Sequence, residues 1–222
     1  MEGADSFVTY VPQEAKDAQK TKRSVEEHGG TCHLHDANLK PAATCKRVVE
    51  AALEKMDGIN ILVINDASRM MKKIIASYPK QWEHFVRTNI HPFFYPSTYC
   101  LPHMTSGNSI INCASISAYV GRPNLRDYTS TKGAIVSFAR GLSNQVVGKG
   151  IRVNAVCPGP VWTPLVAASM DEDAYESFQA MPMGRPGQAS ELVACFVFWA
   201  SQDIRLISRW SLHHNGGEVV NP

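Results

Sequence analysis

Three side chains in this sequence are spaced so that they could carry out proton transfer. Tyr128 and Lys132 lie four residues apart, and residues at that spacing share one face of a helix. An ammonium one turn away favours the phenolate form of a tyrosine, so Tyr128 could exchange a proton with an alcohol or a carbonyl oxygen. Ser115, thirteen residues upstream, could donate a hydrogen bond to the same oxygen and stabilise its developing charge.

This trio moves protons but has no group that accepts or supplies a hydride. An alcohol–carbonyl conversion at such a site therefore implies a hydride carrier, and a nicotinamide suits that chemistry. No metal is needed. A tyrosine and a lysine at this spacing are by themselves a weak signal, because most such pairs lie on solvated helix faces. Other segments of the sequence are therefore needed to show whether this pair is functional.

The elements that would position these residues alternate along the chain. The pattern of apolar residues, prolines and glycines predicts strands at 7–11, 31–35, 59–64, 109–113, 151–156 and 210–214. It predicts helices at 12–27, 41–56, 128–147 and 191–200, and a helical region from 79 that is interrupted near 91–92. Such alternation indicates an α/β fold, a Rossmann-like doubly wound parallel sheet covered by helices, in one domain over residues 1–222.

Composition excludes several other classes of protein. The 222 residues carry a net charge of +2 with the two signs interspersed, which argues against a nucleic-acid partner. The six cysteines form no Cys-x-x-Cys pair, so we expect buried, reduced thiols and no disulfide framework or metal site. The apolar run at 192–200 is too short to span a bilayer, and the first residues lack a signal-peptide layout. We therefore expect a cytoplasmic protein without membrane contact.

Additional motifs point to one family. Asn89 lies in the segment 87–90, and an Asn-Ala-Val-Cys-Pro-Gly-Pro segment covers 154–160. Together with Ser115, Tyr128 and Lys132, these segments resemble the short-chain dehydrogenase/reductase family. The resemblance covers about residues 2–220 and is closest to the glucose/ribitol dehydrogenase-like subgroup. It is carried most closely by residues 128–136, 149–154, 158–164 and 215–220.

The resemblance implies a role for each matching residue. Tyr128 is similar to the family's acid/base, Lys132 to its partner that also binds the nicotinamide ribose, and Ser115 to the substrate-polarising serine. Asn89 matches an asparagine that shapes a kinked helix and holds a water of the proton relay. The implied cofactor is NAD or NADP, with contacts at Asn38, Asn65, Ala67, Tyr128, Lys132, Pro158, Gly159, Val161 and Thr163. The implied substrate is a sugar, a polyol or another small alcohol or carbonyl compound, and the implied assembly is a homodimer or homotetramer.

Two segments depart from the family pattern. Family members begin with a strand, a glycine-rich turn and a helix whose N-terminus holds the pyrophosphate, whereas residues 1–5 here resemble the end of that helix. The resemblance thus implies an N-terminally truncated fold in which the first, central strand and its helix are missing. The strands at 7–11 and 59–64 would then lack a neighbour, so either the sheet closes across the gap or the chain is marginally stable. In addition, Ser208-Arg209 replaces a Thr-Gly pair, where the glycine could have allowed a tight turn.

Two functions therefore remain open at the level of sequence. One is an NAD(P)-dependent oxidoreductase that uses Tyr128 as its acid/base. The alternative is a cofactor-deficient, non-catalytic remnant or partner subunit of the same family. The choice between NAD and NADP is also open, because residues 9–12 offer neither an acid for a ribose diol nor an arginine for a 2′-phosphate.

Overall fold

Parallel strands alternate with helices in the computed structural model, which describes residues 3–67, 79–164 and 181–220. The strands are β1 (Ser6–Tyr10), β2 (Cys32–Asp36), β3 (Ile61–Ile64), β4 (Ser109–Cys113), β5 (Arg152–Val156), β6 (Val161–Trp162), β7 (Gly187–Gln188) and β8 (Ser211–Leu212). The helices are α1 (Ala15–Glu27), α2 (Ala42–Lys55), α3 (Pro79–Asn89), α4 (His91–Cys100), α5 (Ser117–Val120), α6 (Arg126–Val146) and α7 (Ala189–Ala200).

The main sheet consists of two parts that are not hydrogen-bonded to each other. β1 pairs with β2, whereas β3, β4, β5 and β8 form a second sheet in that order, and all pairs are parallel. β6 and β7 form a separate short pair. Among the described residues no strand lies between β1 and β3. The sheet therefore leaves a gap at the centre and does not close across it.

Helices cover both faces of this divided sheet. Alternate residues of a strand point to opposite faces, and Ile110 of β4 packs in a cluster with residues of α2, α4 and α6. The next residue, Ile111, packs instead in a cluster with Cys195 and Trp199 of α7. β4 and β5 are buried along their whole length, as expected for strands that are covered on both sides. This is the doubly wound arrangement that the sequence predicts.

A buried arginine joins β5 to α7. Arg152 donates hydrogen bonds from Nη1 to the carbonyl oxygen of Trp199 (2.8 Å) and from Nη2 to that of Ser201 (3.0 Å). These carbonyls lie at the C-terminal end of α7, where a helix leaves its last acceptors unpaired and where a positive charge is favourable. Arg152 therefore fixes the end of α7 against the sheet.

The order and type of the predicted elements are confirmed, with ends that differ by a few residues. The predicted interruption near 91–92 falls at Ile90, which separates α3 from α4. The sequence did not predict the short elements α5, β6 and β7. All six cysteines are free and buried, as predicted. In the described part of the chain, no helix is both long and apolar enough to cross a bilayer.

Candidate active site

The predicted site residues lie beyond the carboxyl ends of the strands. Ser115 follows β4, Tyr128 and Lys132 lie in α6, and the loop 158–163 follows β5. In open parallel sheets this edge is where ligands bind. Tyr128, Lys132 and Ser115 all line one cavity, so three residues predicted from spacing alone meet at a common surface.

Lys132 is held beside the ring of Tyr128. Its ammonium donates a hydrogen bond to the carbonyl oxygen of Cys113 at the end of β4, over 2.8 Å. The same Nζ lies 5.6 Å from the ring centroid of Tyr128 and 5.4 Å from that of Phe93, within the range of a cation–π contact. Only 2% of Lys132 is exposed. The helical face predicted for the pair therefore exists, and the ammonium is fixed in position.

Tyr128 and Ser115 are mostly buried, with 9% and 7% of their surfaces exposed. The hydroxyl oxygen of Ser115 accepts a hydrogen bond from the amide of Ser117 at 3.1 Å, at the start of α5. A serine hydroxyl has one donor and two acceptor sites, so its proton is still available for a ligand oxygen in the cavity. The short helix α5 thus orients the serine without using up its donor.

Asn89 lies behind the cavity and does not line it. It is the last residue of α3, is completely buried, and donates a hydrogen bond from Nδ2 to Oγ1 of Thr131 over 3.1 Å. Thr131 in turn donates to the carbonyl oxygen of Tyr128 over 2.8 Å. Asn89 therefore acts on the turn of α6 that carries Tyr128 and Lys132, and it lies directly before the break between α3 and α4.

The residues predicted to contact a cofactor line the same cavity, which has a volume of about 2610 Å³. They lie after three strands of the two sheets: Asn38 after β2, Asn65 and Ala67 after β3, and Pro158, Gly159, Val161 and Thr163 after β5. Asn38 is exposed, and its side-chain oxygen accepts from the amide of Lys40 at 3.1 Å.

The charged residues at this cavity that were not among the predicted site residues include Asp66, Arg122 and Glu218. Asp66 lies between the predicted residues Asn65 and Ala67 in the sequence. Burial raises the pKa of its carboxyl group, and the ammonium groups of Lys132 and Lys40 oppose that rise. Arg122 donates from Nη2 to both carboxylate oxygens of Glu218, over 2.9 and 2.8 Å. This ion pair joins the segment before α6 to the C-terminal segment. No local signal could have revealed it, because its partners are 96 residues apart.

The described residues fit the nicotinamide end of a dinucleotide better than its central pyrophosphate. Tyr128, Lys132 and Ser115 offer donors for a ribose and a reacting oxygen, and the loop 158–163 forms the adjacent wall. Among the described residues that line the cavity, no glycine-rich turn begins a helix, and the cationic ones are Lys40, Arg122 and Lys132. The usual pyrophosphate cradle therefore has no counterpart in the part of the chain seen here. No group of three metal-binding side chains occurs there either.

Sequence comparison places the chain among known oxidoreductases. Residues 1–218 match the family described as enoyl-(acyl carrier protein) reductase. A protein of Daucus carota named glucose and ribitol dehydrogenase is 41% identical over 228 residues, which cover 100% of this chain and 78% of that protein. The NADPH-dependent aldehyde reductase 1, chloroplastic, of Arabidopsis thaliana is also 41% identical over 228 residues, covering 99% of this chain and 79% of that protein.

Solved structures agree with this assignment. A short-chain dehydrogenase/reductase of Brucella melitensis, described as a glucose/ribitol dehydrogenase, superposes with a TM-score of 0.89 at 27% identity. The superposition covers 99% of this chain and 88% of that one. A blue fluorescent protein from a metagenomic library, solved in complex with NADPH, gives a TM-score of 0.90 at 25% identity, over 97% of this chain and 88% of that one. The family match, the fold and the group formed by Ser115, Tyr128 and Lys132 lead to one conclusion: this chain belongs to the short-chain dehydrogenase/reductase family of oxidoreductases.

Proposed function

We propose that this chain is an NAD(P)-dependent oxidoreductase that interconverts an alcohol and a carbonyl group in a sugar, a polyol or another small compound. The observation that carries the proposal is the buried ammonium of Lys132, which is held by the carbonyl of Cys113 and lies 5.6 Å from the ring centroid of Tyr128. A fixed cation beside a tyrosine at the wall of a cavity offers a ligand oxygen a charged donor next to a hydroxyl that can exchange a proton with it.

Each residue has a distinct task in this proposal. A nicotinamide held at this cavity would supply or receive the hydride. Tyr128 donates a proton to the substrate oxygen during reduction and removes it during oxidation. The hydroxyl of Ser115 donates a hydrogen bond to that oxygen as it gains negative charge. Lys132 offers donors to a ribose, while Asn89 and Thr131 hold the helical turn that aligns the tyrosine and the lysine.

The substrate class is suggested by the relatives. The similar protein of Daucus carota is named a glucose and ribitol dehydrogenase, and that of Arabidopsis thaliana an NADPH-dependent aldehyde reductase. The contact residues proposed for NAD or NADP are Asn38, Asn65, Ala67, Tyr128, Lys132, Pro158, Gly159, Val161 and Thr163. Their position around a single cavity supports this assignment.

Substitution of the proposed acid/base tests the proposal. Tyr128→Phe removes one hydroxyl, so we expect turnover of aldehydes with NADPH, and of polyols and sugars with NAD or NADP, to fall at least ~100-fold. The free energy of unfolding should change little. Tyr99→Phe is the matched control, since Tyr99 packs against the core outside the cavity, and it should keep wild-type turnover. Substantial activity in Tyr128→Phe would rule out the assignment.

A second candidate is a cofactor-deficient partner subunit, and the divided sheet favours it. Among the described residues, the cavity has no phosphate-binding turn, and no strand pairs with β3 on the side away from β4. Titration of the purified chain with NADH and NADPH, followed by nucleotide fluorescence, separates the two candidates. Saturable binding that Lys132→Ala weakens supports the enzyme, whereas no binding at millimolar nucleotide supports the partner subunit.

We also propose that the chain forms a homodimer or homotetramer through α4 and α6. Phe94 of α4 is 50% exposed, and its ring centroid lies 5.7 Å from that of Phe138 on α6, so the two helices present a joint aromatic surface. Light scattering after size exclusion should give a multiple of the 24.4 kDa mass of the chain, and Phe94→Glu should lower the measured mass.

The free, buried cysteines suit a cytoplasmic location, and residues 1–222 are proposed to form one domain.

A further inference from the structure

The ion pair of Arg122 and Glu218 lies on the wall of the cavity that also contains Ser115 and Tyr128. We propose that this pair binds the part of the substrate that is remote from the reacting carbon, and that it selects neutral polyhydroxylated substrates over anionic ones. The inference rests on the proposed oxidoreductase function and deepens it, and its test includes a binding measurement that needs no turnover.

Arg122 is fixed to the segment that carries both reactive hydroxyls. The chain runs from Ser115 through α5 to Arg122. The amide of Leu125 then donates to the carbonyl of Arg122 over 3.0 Å, and the amide of Thr129 donates to the carbonyl of Leu125 over 2.7 Å. Arg122 therefore lies one hydrogen-bonded turn before the turn of α6 that contains Tyr128.

Glu218 is fixed to the loop that is proposed to contact the nicotinamide. The amide of Gly159 donates to the carbonyl of His214 over 2.9 Å, and the amide of Met183 donates to the carbonyl of Gly216 over 3.0 Å. The segment that leads to Glu218 is thus held by two other stretches of the chain. Its carboxylate therefore has a defined position at the cavity wall before a substrate binds.

The order of the strands places the pair at the end of the cavity where the reaction is proposed. Arg122 and Ser115 both follow β4, and Glu218 follows β8, which pairs with β5 in the same sheet. Asn38, one of the proposed cofactor contacts, follows β2 in the other sheet. A substrate that reaches Tyr128 and Ser115 therefore lies on the side of the cavity where the ion pair is.

The pair offers donors and acceptors side by side. Nη2 of Arg122 donates to both carboxylate oxygens of Glu218, over 2.9 and 2.8 Å, which engages one of the three guanidinium nitrogens. Among the described residues Arg122 has no other acceptor. The two side chains are 40% and 24% exposed. A substrate hydroxyl, which both donates and accepts, can accept from the guanidinium while it donates to the carboxylate.

The zero net charge of the pair disfavours an anionic substrate. A carboxylate or phosphate on the substrate would be attracted by Arg122 and repelled by Glu218, so it would lose its water without a net gain in charge interaction. A neutral hydroxyl loses less on leaving water and meets a donor and an acceptor. The pair therefore favours sugars and polyols over the corresponding acids.

D-Glucose and D-glucuronate are matched probes, because they differ in charge at the carbon farthest from the one that is oxidised. We expect wild type to favour glucose at least ~10-fold in the ratio of the two kcat/KM values. Glu218→Gln keeps the shape of the side chain but leaves Arg122 without a counter-ion, so it should shift this ratio at least ~10-fold toward glucuronate. Arg122→Gln leaves the carboxylate alone and should shift the ratio toward glucose.

Glu191→Gln is the matched control for these variants. It removes the same charge from an ion pair with Arg185 that does not line the cavity, so the ratio should be unchanged. Exposed ion pairs contribute little to stability, and the circular dichroism spectra of all three variants should match that of the wild type. An unchanged ratio in either variant of the cavity pair, or an equal shift in Glu191→Gln, would overturn the proposal.

Equilibrium dialysis separates a failure of this inference from a failure of the proposed reaction. Radiolabelled glucose and glucuronate are dialysed, with NADPH present, against Tyr128→Phe and against the double variant with Glu218→Gln. The ratio of the two dissociation constants should shift at least ~10-fold toward glucuronate in the double variant. This shift without turnover by the wild type would refute the reaction and support the ion-pair site. Turnover with an unchanged ratio, or binding of neither probe, would refute the ion-pair site.

Discussion

The side chains of Asn89 and Thr131 are joined by a hydrogen bond of 3.1 Å between two completely buried residues that lie 42 positions apart. Thr131 also donates to the carbonyl of Tyr128. The end of α3 therefore braces the turn of α6 between the tyrosine and the lysine. This makes Asn89 a positioning residue whose contribution can be separated from that of the residues at the cavity.

A double-mutant cycle measures this brace. Asn89→Ala and Thr131→Val should each lower the free energy of unfolding by about 1–3 kcal/mol, because each leaves a buried polar partner unsatisfied. The double variant should lose clearly less than the sum of the two, since residues in one hydrogen-bond network are coupled. Urea denaturation monitored by circular dichroism gives all four values. Strict additivity would show that the bond contributes nothing.

Replacement of Lys132 separates its charge from its volume. Lys132→Met keeps a long, flexible chain but removes the ammonium that contacts the Cys113 carbonyl and the Tyr128 ring. We expect turnover to fall at least ~100-fold without a comparable loss of stability, because a buried charge carries a desolvation cost. Lys132→Arg keeps a positive charge but replaces the ammonium with a larger, planar guanidinium that does not fit the same contacts. Steady-state kinetics and urea unfolding of both variants test this, and wild-type turnover in Lys132→Met would contradict it.

Gly159 allows the cavity loop to approach the C-terminal segment closely. A Cβ atom on Gly159 would lie 2.8 Å from Cα of Asn215, so Gly159→Ala must push these two backbones apart. We expect higher KM for the nucleotide and lower stability. Gly141→Ala, in the open on α6, is the matched control and should stabilise the chain by roughly 0.5–1 kcal/mol. Equal behaviour of the two variants in thermal unfolding and kinetics would refute the packing argument.

Arg209 has the left-handed backbone conformation expected of a glycine. Its φ is +72°, at the position where the sequence has arginine in place of the family's glycine, and its amide donates to the carbonyl of Val153 over 2.8 Å. The conformation costs a side-chain-bearing residue about 1–2 kcal/mol, partly offset by the greater freedom of glycine in the unfolded chain. Arg209→Gly should therefore raise the free energy of unfolding by about 0.5–1 kcal/mol.

Arg209→Ala serves as the control for that measurement. It removes the exposed side chain but keeps the backbone strain, so its stability should stay near that of the wild type. An equal gain in Arg209→Ala would assign the effect to the arginine side chain and not to the backbone.

The start of α7 should make the chain sensitive to acid. The guanidinium of Arg185 and the amide of Gln188 lower the pKa of Glu191 from 4.5 to about 2. A carboxylate with a depressed pKa stabilises the fold above its ordinary value, and that contribution is lost as the pH falls from about 4.5 toward 2. The stability difference between wild type and Glu191→Gln should thus shrink over this range in urea titrations, and Arg185→Gln should reduce the difference. A difference independent of pH would contradict the prediction.

The local sequence pattern determined where the strands and helices lie and that Tyr128 and Lys132 share one helical face. The positions of β4 and α6 followed from apolar periodicity and from flanking glycines, because secondary structure depends on neighbours within a few residues. The four-residue spacing of Tyr128 and Lys132 fixed their common face for the same reason. The unusual arginine at 209 was also visible in the sequence, since a glycine is hard to replace where φ is positive.

Long-range packing decided the rest. The sequence could not indicate that Asn89 bonds to Thr131, that Arg122 pairs with Glu218 or that Arg152 holds the end of α7, because these contacts join distant segments and depend on how layers pack. Nor could it decide between a closed and an open sheet. Among the described residues, β1 and β3 pack against the same cluster of α2 and α4 without pairing with each other, and such contacts between distant segments depend on tertiary packing and not on local propensity.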